Sequence, residues 1–190
     1  MTSLYHYQHM TVARVAHDAL LREAELTKLR VAAVEWSEDA NHLSKANKVG
    51  PPERVVIPDY GDTSAVAYLR EYFRLMGFQE RRVSAGPLWP VTSPPGVVSR
   101  SKFTSKRAFV VLARQLLTKA SFPAKDYAGH SYRSGGATDT WRSHRCRPLT
   151  IKLHGLWKSD AFCLYIRDNP SDTAAEVLAA LTFFAKESQP

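Results

Sequence analysis

Three short runs, residues 31–36, 41–46 and 54–57, carry residues suited to strands, and polar or Gly/Pro-rich stretches separate them. Short strands this close in sequence are expected to form a small antiparallel sheet, with Gly50-Pro51-Pro52 as a hairpin loop. The rest of the chain is spaced for helices. Residues 11–21 place Val12, Val15, Ala16 and Leu20 at helical intervals, and residues 22–29 extend that helix or form a second one after a turn. Asp62-Thr63-Ser64 opens a helix that Gly77 stops, with Val66, Leu69, Tyr72, Phe73 and Met76 as its apolar set. Residues 86–98 hold four prolines and predict an irregular, mobile connection.

Helical patterns then follow in series. Thr104 or Ser105 caps a helix to about Lys119, and another carries residues 132–140, where Gly135-Gly136 allows close backbone approach. Pro148 suits the first turn of a short helix ending at Gly155. Ser159 caps a further helix bearing Tyr165, with Phe162 and Ile166 on its inner face, and residues 173–185 form a final amphipathic helix. The expected class is α+β: a mainly helical domain with a small three-stranded antiparallel sheet near the N-terminus.

Composition narrows the setting. In 190 residues, 44% hydrophobic and 11% aromatic content suffice for a core, and no apolar run approaches the roughly 18 residues of a membrane span. The first ten residues have neither the basic start nor the apolar stretch of a secretory signal, and only Cys146 and Cys163 are present. An intracellular, reducing compartment is expected, the nucleus in a eukaryotic host. Charge is uneven along the chain. Residues 1–96 balance 11 basic against 11 acidic side chains, whereas residues 97–167 hold 14 Lys or Arg against Asp126, Asp139 and Asp160. A local surplus of this size favours a polyanion such as nucleic acid, although a basic protein without such a partner has the same charge.

His130-Ser131-Tyr132-Arg133 in that region is followed by Gly155-Leu156-Trp157-Lys158 and then by Tyr165. His-x-x-Arg alone is a weak signal, but the longer string resembles the catalytic domain of the tyrosine recombinases, the lambda-integrase-like enzymes. It looks closest to those of mobile elements of the Crypton and DIRS type. The separation of 32 residues between Arg133 and Tyr165 also resembles the family's. Arg22-Glu23-Ala24-Glu25-Leu26 is similar to the family's first arginine motif, in which Glu and Leu follow the arginine at the third and fourth positions. Ser44-Lys45-Ala46-Asn47-Lys48 resembles the hairpin with the catalytic lysine, Lys45 being the first choice and Lys48 the second. Trp157 stands one position later than the family's His or Trp when counted back from the tyrosine, where this chain has Leu156. The resemblance covers about residues 11–168.

The resemblance implies a set of roles. Arg22 and Arg133 would clamp the non-bridging oxygens of a phosphodiester, which a planar, permanently charged fork does well. Tyr165 would attack phosphorus, His130 would donate a hydrogen bond or take the tyrosine proton, and Lys45 would protonate the departing 5′ oxygen. Trp157 would give its indole N–H to a phosphate oxygen. The product implied is a 3′-phosphotyrosyl link, with no ATP, metal or other cofactor. Double-stranded DNA would be the partner, with a homo-oligomer assembled on it, and neither a membrane nor a small-molecule substrate is implied. Lys48, Arg142, Arg145, Arg147 and Lys158 would touch the DNA backbone. His144, Cys146, His154 and Cys163 have no metal-ligand spacing.

Other readings stay open at this stage. Without the resemblance, Arg22 is a polar residue of an amphipathic helix, with Glu23 as a surface partner, Lys45 a hairpin lysine and Trp157 a core tryptophan. The basic run from Arg142 to Arg147 is equally a solvated loop. Family members carry an N-terminal clamp domain, and only about ten residues precede the first expected helix. The expected division is therefore a catalytic domain over residues 1–170 and a C-terminal helix over 171–190 that meets a neighbouring protomer or its own domain. An inactive DNA-binding relic and a type IB topoisomerase-like relaxing enzyme are the alternatives.

Overall fold

Ser3 accepts the His6 amide hydrogen bond and opens the first helix, α1 (Leu4–Asp18). That helix begins well before residue 11, and its first turns are hidden from apolar periodicity because Gln8, His9 and Thr11 are buried polar side chains. The computed structural model describes residues 3–36, 41–45, 53–78, 86–93, 97–143 and 146–167, with the backbone alone for residues 41–45. After a turn at Leu20, α2 (Glu23–Leu26) is a separate short helix, followed by a 3-10 turn, Val31–Ala33. The three expected strands are present as β1 (Val34–Glu35), β2 (Asn41–Lys45) and β3 (Glu53–Ile57), an antiparallel sheet in the order β1-β2-β3. Its register pairs Lys45 with Glu53. The hairpin loop expected at Gly50–Pro52 and the final helix expected at 173–185 lie outside the described residues.

Ser64 caps α3 (Ala65–Met76), and Gly77 ends it in the left-handed conformation at φ 64°. All five apolar residues expected to face inward are buried. The Pro-rich stretch 86–98 is corrected by the structure. Leu88 and Trp89 are buried in the core, and β4 (Pro90–Ser93) pairs with β5 (Val97–Phe103) in a second antiparallel hairpin. Pro90 starts its strand, a position that needs no ladder N–H. Ser105 then caps α4 (Lys106–Lys119), and α5 (Ser131–Arg142) and α6 (Pro148–His154, proline in its first turn) follow. Ser159 caps a 3-10 helix, Asp160–Tyr165, where an α-helix was expected.

Two apolar clusters organise these elements. The larger joins α1 and α3 with the three-stranded sheet, Leu88, Trp89 and Phe109. The smaller gathers Leu20, Ala137, Ile151, Trp157 and Phe162, with Tyr165 and Ile166 packed against it. This second cluster lies under the residues singled out above. Where α1 crosses α5, a Cβ at Gly136 would run into the His17 carbonyl oxygen and lie 2.6 Å from Leu20 Cδ2, so the close approach expected at Gly135-Gly136 is made at Gly136. Among the described residues, no helix is long and apolar enough to cross a membrane.

Candidate active site

Arg133 extends from the first turn of α5 and is 1% exposed. Its guanidinium donates through Nη1 to the Leu20 carbonyl and through Nη2 to the Gly155 carbonyl at 2.7 Å. Both acceptors lie at sharp turns: Leu20 has φ 48°, and Leu156, just after Gly155, has φ 53°. Left-handed leucines are uncommon, and here they aim two carbonyls at one cation. Trp157 lies beneath the guanidinium, 3.7 Å from ring centroid to Cζ, and the Tyr165 ring is 5.4 Å away. Burial, and then the nearby Arg22, push the Arg133 pKa down to about 10, against the opposing pull of Glu25 and Tyr165. It therefore stays charged at neutral pH.

Arg22 reaches the same place from the turn between α1 and α2. It is half exposed, and its Nη1 donates to Glu25 Oε1 at 3.1 Å, while its backbone N–H donates to Glu25 Oε2 at 2.8 Å. Glu25 Oε2 is also 4.0 Å from Arg133 Nη1, so one carboxylate links the two arginines. The surface pairing expected between Arg22 and Glu23 is replaced by this Glu25 pairing. Glu23 turns instead toward Gly129, where an added Cβ would lie 2.6 Å from its carboxyl carbon.

Tyr165 ends the 3-10 helix and is half-buried. Its carbonyl accepts hydrogen bonds from Ser134 Oγ at 2.6 Å and Thr138 Oγ1 at 3.4 Å, and Thr138 Oγ1 accepts the Arg167 amide at 2.9 Å. Its ring centroid is 5.4 Å from that of Trp157. The phenolic hydroxyl makes no hydrogen bond among the described residues.

The remaining candidates are placed less closely. Arg22, Trp157 and Lys158 line one open cleft, together with Glu25, Glu53 and Ser159. Glu53 is the register partner of Lys45, so the Lys45 backbone stands at the strand end beside the cleft. Lys48 and Arg145 lie outside the described residues. His130 precedes α5 one turn before Arg133, with an exposed side chain that does not line the cleft. Arg142 donates to the Arg167 carbonyl at 3.0 Å, and Arg147 is exposed at the start of α6. His154 Nε2 is engaged with the Asp18 carbonyl at 2.7 Å. The structure thus gathers Arg22, Arg133, Trp157 and Tyr165, and adds Glu25, Ser134 and Thr138, to which sequence reasoning gave no role.

Two donors in this cluster, Arg133 Nε and Trp157 Nε1, are buried without a hydrogen-bond partner. Such groups are uncommon in folded proteins, and here they belong to two stacked side chains, of which Trp157 shares the lining of the cleft with Arg22. The arrangement favours an oxyanion next to a phenol.

No family model matches the sequence, and no curated protein matches it. Solved structures do match. A pre-cleavage complex of XerH site-specific recombinase bound to difH substrate has a TM-score of 0.65 at 11% identity, over 92% of this chain and 47% of that one. A post-cleavage complex of XerH with palindromic difH substrate has a TM-score of 0.64 at 11% identity, over 87% and 43% respectively. The chain therefore spans less than half the length of these recombinases, and what it shares with that part of them is the fold.

Proposed function

We propose that this chain breaks and rejoins DNA strands through Tyr165. The Tyr165 oxygen attacks phosphorus, its proton passes to His130, the bond to the 5′ oxygen breaks, and Lys45 supplies the proton that this oxygen takes up. The phosphate stays on the tyrosine as a 3′-phosphotyrosyl link, which a 5′ hydroxyl reverses. Arg22 and Arg133 neutralise the non-bridging oxygens, with Trp157 Nε1 as a further donor. Lys45, Lys48, Lys158, Arg142, Arg145 and Arg147 are proposed contacts to double-stranded DNA, and exchange would occur in a homo-oligomer assembled on it. By sequence resemblance the element of origin is of the Crypton or DIRS type, with residues 1–170 as the catalytic unit.

The observation that carries this reading is the gathering of Arg22, Arg133, Trp157 and Tyr165, with two unpartnered donors, beside an open cleft that Arg22, Trp157 and Lys158 line, in a recombinase fold. Glu25 supports it, since its carboxylate already holds an oxyanion between the arginines. A second reading has its own support. Arg133 is sealed from solvent and bonded to two carbonyls, as suits a DNA-binding relic in which it only holds the fold.

Covalent trapping separates the two. Supercoiled DNA incubated at low salt and quenched in SDS should yield a protein–DNA adduct with the wild type and none with Tyr165→Phe. Equal DNA binding by both proteins with no adduct from either would favour the relic.

A further inference from the structure

His17, in the last turn of α1, joins two carboxylates from different elements. Its Nδ1 is 3.0 Å from Asp18 Oδ1 and its Nε2 is 3.0 Å from Asp139 Oδ2, on α5. An ionised carboxylate can only accept hydrogen bonds, and a neutral imidazole has one N–H. Two such contacts at once therefore call for the doubly protonated ring. The end of α1 and the turn after it meet α5 twice more, where the His17 carbonyl faces Gly136 and where the Leu20 carbonyl accepts from Arg133. Three links thus tie one helix crossing, and one of them carries a removable proton.

We propose that His17 is a positioning residue: its imidazolium, held between Asp18 and Asp139, fixes the crossing of α1 and α5 and so seats the Arg133 guanidinium. The effect on strand cleavage rests on the function proposed above. The effect on Arg133 does not. When the ring loses a proton, one carboxylate faces a lone pair, the α1–α5 brace opens, and the Leu20 carbonyl is no longer held against Arg133.

The surroundings keep the proton on His17 without freezing it there. Asp18 is held in place by Arg14 Nε at 3.1 Å, the Tyr60 hydroxyl at 2.7 Å and the Ala65 amide at 2.9 Å. His154 Nε2 lies against the Asp18 carbonyl. Glu23, His9, Tyr127 and Tyr132 line the cavity that His17 also lines, and no charged side chain from α4 does. Hydrogen bonding to Asp18, opposed by burial and helped by Asp139, raises the His17 pKa above its ordinary value. The His17 side chain is 25% exposed and that of Asp139 67%, so solvent can exchange the proton.

The test follows His17 and Arg133 by NMR in the full chain and, in parallel, the SDS-stable adduct on supercoiled plasmid DNA. The wild-type His17 ring should titrate above the ordinary imidazole range, and Asp139→Asn, a surface change that spares the fold, should lower that titration. His17→Gln should speed solvent exchange of the Arg133 Nε–H by about tenfold and lower adduct yield by about tenfold. His17→Lys, a cation at all neutral pH values, should restore both and flatten their pH profile. Unchanged Arg133 exchange in His17→Gln, or an unmoved His17 titration in Asp139→Asn, would overturn the proposal. Arg133 exchange that follows His17 while no protein forms an adduct at any pH would uphold the brace and reject strand cleavage.

Discussion

Placing two guanidiniums side by side costs Coulomb energy, and Glu25 offsets it for Arg22 and Arg133. The same carboxylate competes with any phosphate that enters. Glu25→Gln should therefore act in two directions: thermal stability falls by about 1 to 3 kcal/mol as Arg133 loses its nearest anion, while affinity for a non-specific duplex rises and its salt slope steepens by about one. Titrations at several salt concentrations, beside thermal melts, check both. A rise in stability would show that Glu25 is not what reconciles the two cations. At this scale Arg22, Arg133, Trp157 and Tyr165 were singled out by the resemblance of their motifs to a known family, and their placement near one another is what the structure adds. The left-handed turns at Leu20 and Leu156 were not, since leucine carries no local signal for φ of 48° or 53°.

Among the elements, the crossing of α1 and α5 sets the position of the cluster, and Gly136 sets how close the crossing is. Gly136→Ala would push a methyl group into the backbone carbonyl of His17 and the buried Leu20 side chain. A loss of about 2 to 3 kcal/mol is expected, read as a lower denaturation midpoint, together with loss of any Tyr165 adduct. Strands β1 to β3 and helices α3 to α6 followed from strand-suited runs, caps and breakers, and in α3 the apolar spacing matches the buried face. The β4–β5 hairpin was missed because its prolines look like loop punctuation, although the apolar pair Leu88-Trp89 beside them was the sign of burial. The start of α1 was missed because buried Gln8, His9 and Thr11 replace the apolar residues that periodicity looks for. The segment Asp160–Tyr165 was legible as a helix but not as the 3-10 form, a choice made by packing.

For the molecule as a whole, two histidines act in opposite senses on stability. Burial lowers the His9 pKa, so its contribution is complete above the unfolded value of about 6.5 and is lost as pH falls through the lower folded value. The His17 pKa is raised, so its contribution is complete below about 6.5 and is lost as pH rises through the higher folded value. Melting temperature should peak near the ordinary imidazole range, and His17→Gln should flatten the alkaline limb while leaving the acid limb. A wild-type profile that climbs steadily through that limb would contradict the assignment.

Arg133 is at once a candidate for catalysis and a fastener joining Leu20 to Gly155, segments far apart in the chain. Selection for a folded chain is therefore enough to preserve it, even in a lineage that has stopped cutting DNA, because a copy without it is removed as misfolded protein. The Tyr165 hydroxyl is in the opposite position: with no hydrogen bond among the described residues, it costs the fold little to lose. As a record of descent, then, the arginine is silent about activity, and the single oxygen on Tyr165 is the part that drift would erase first.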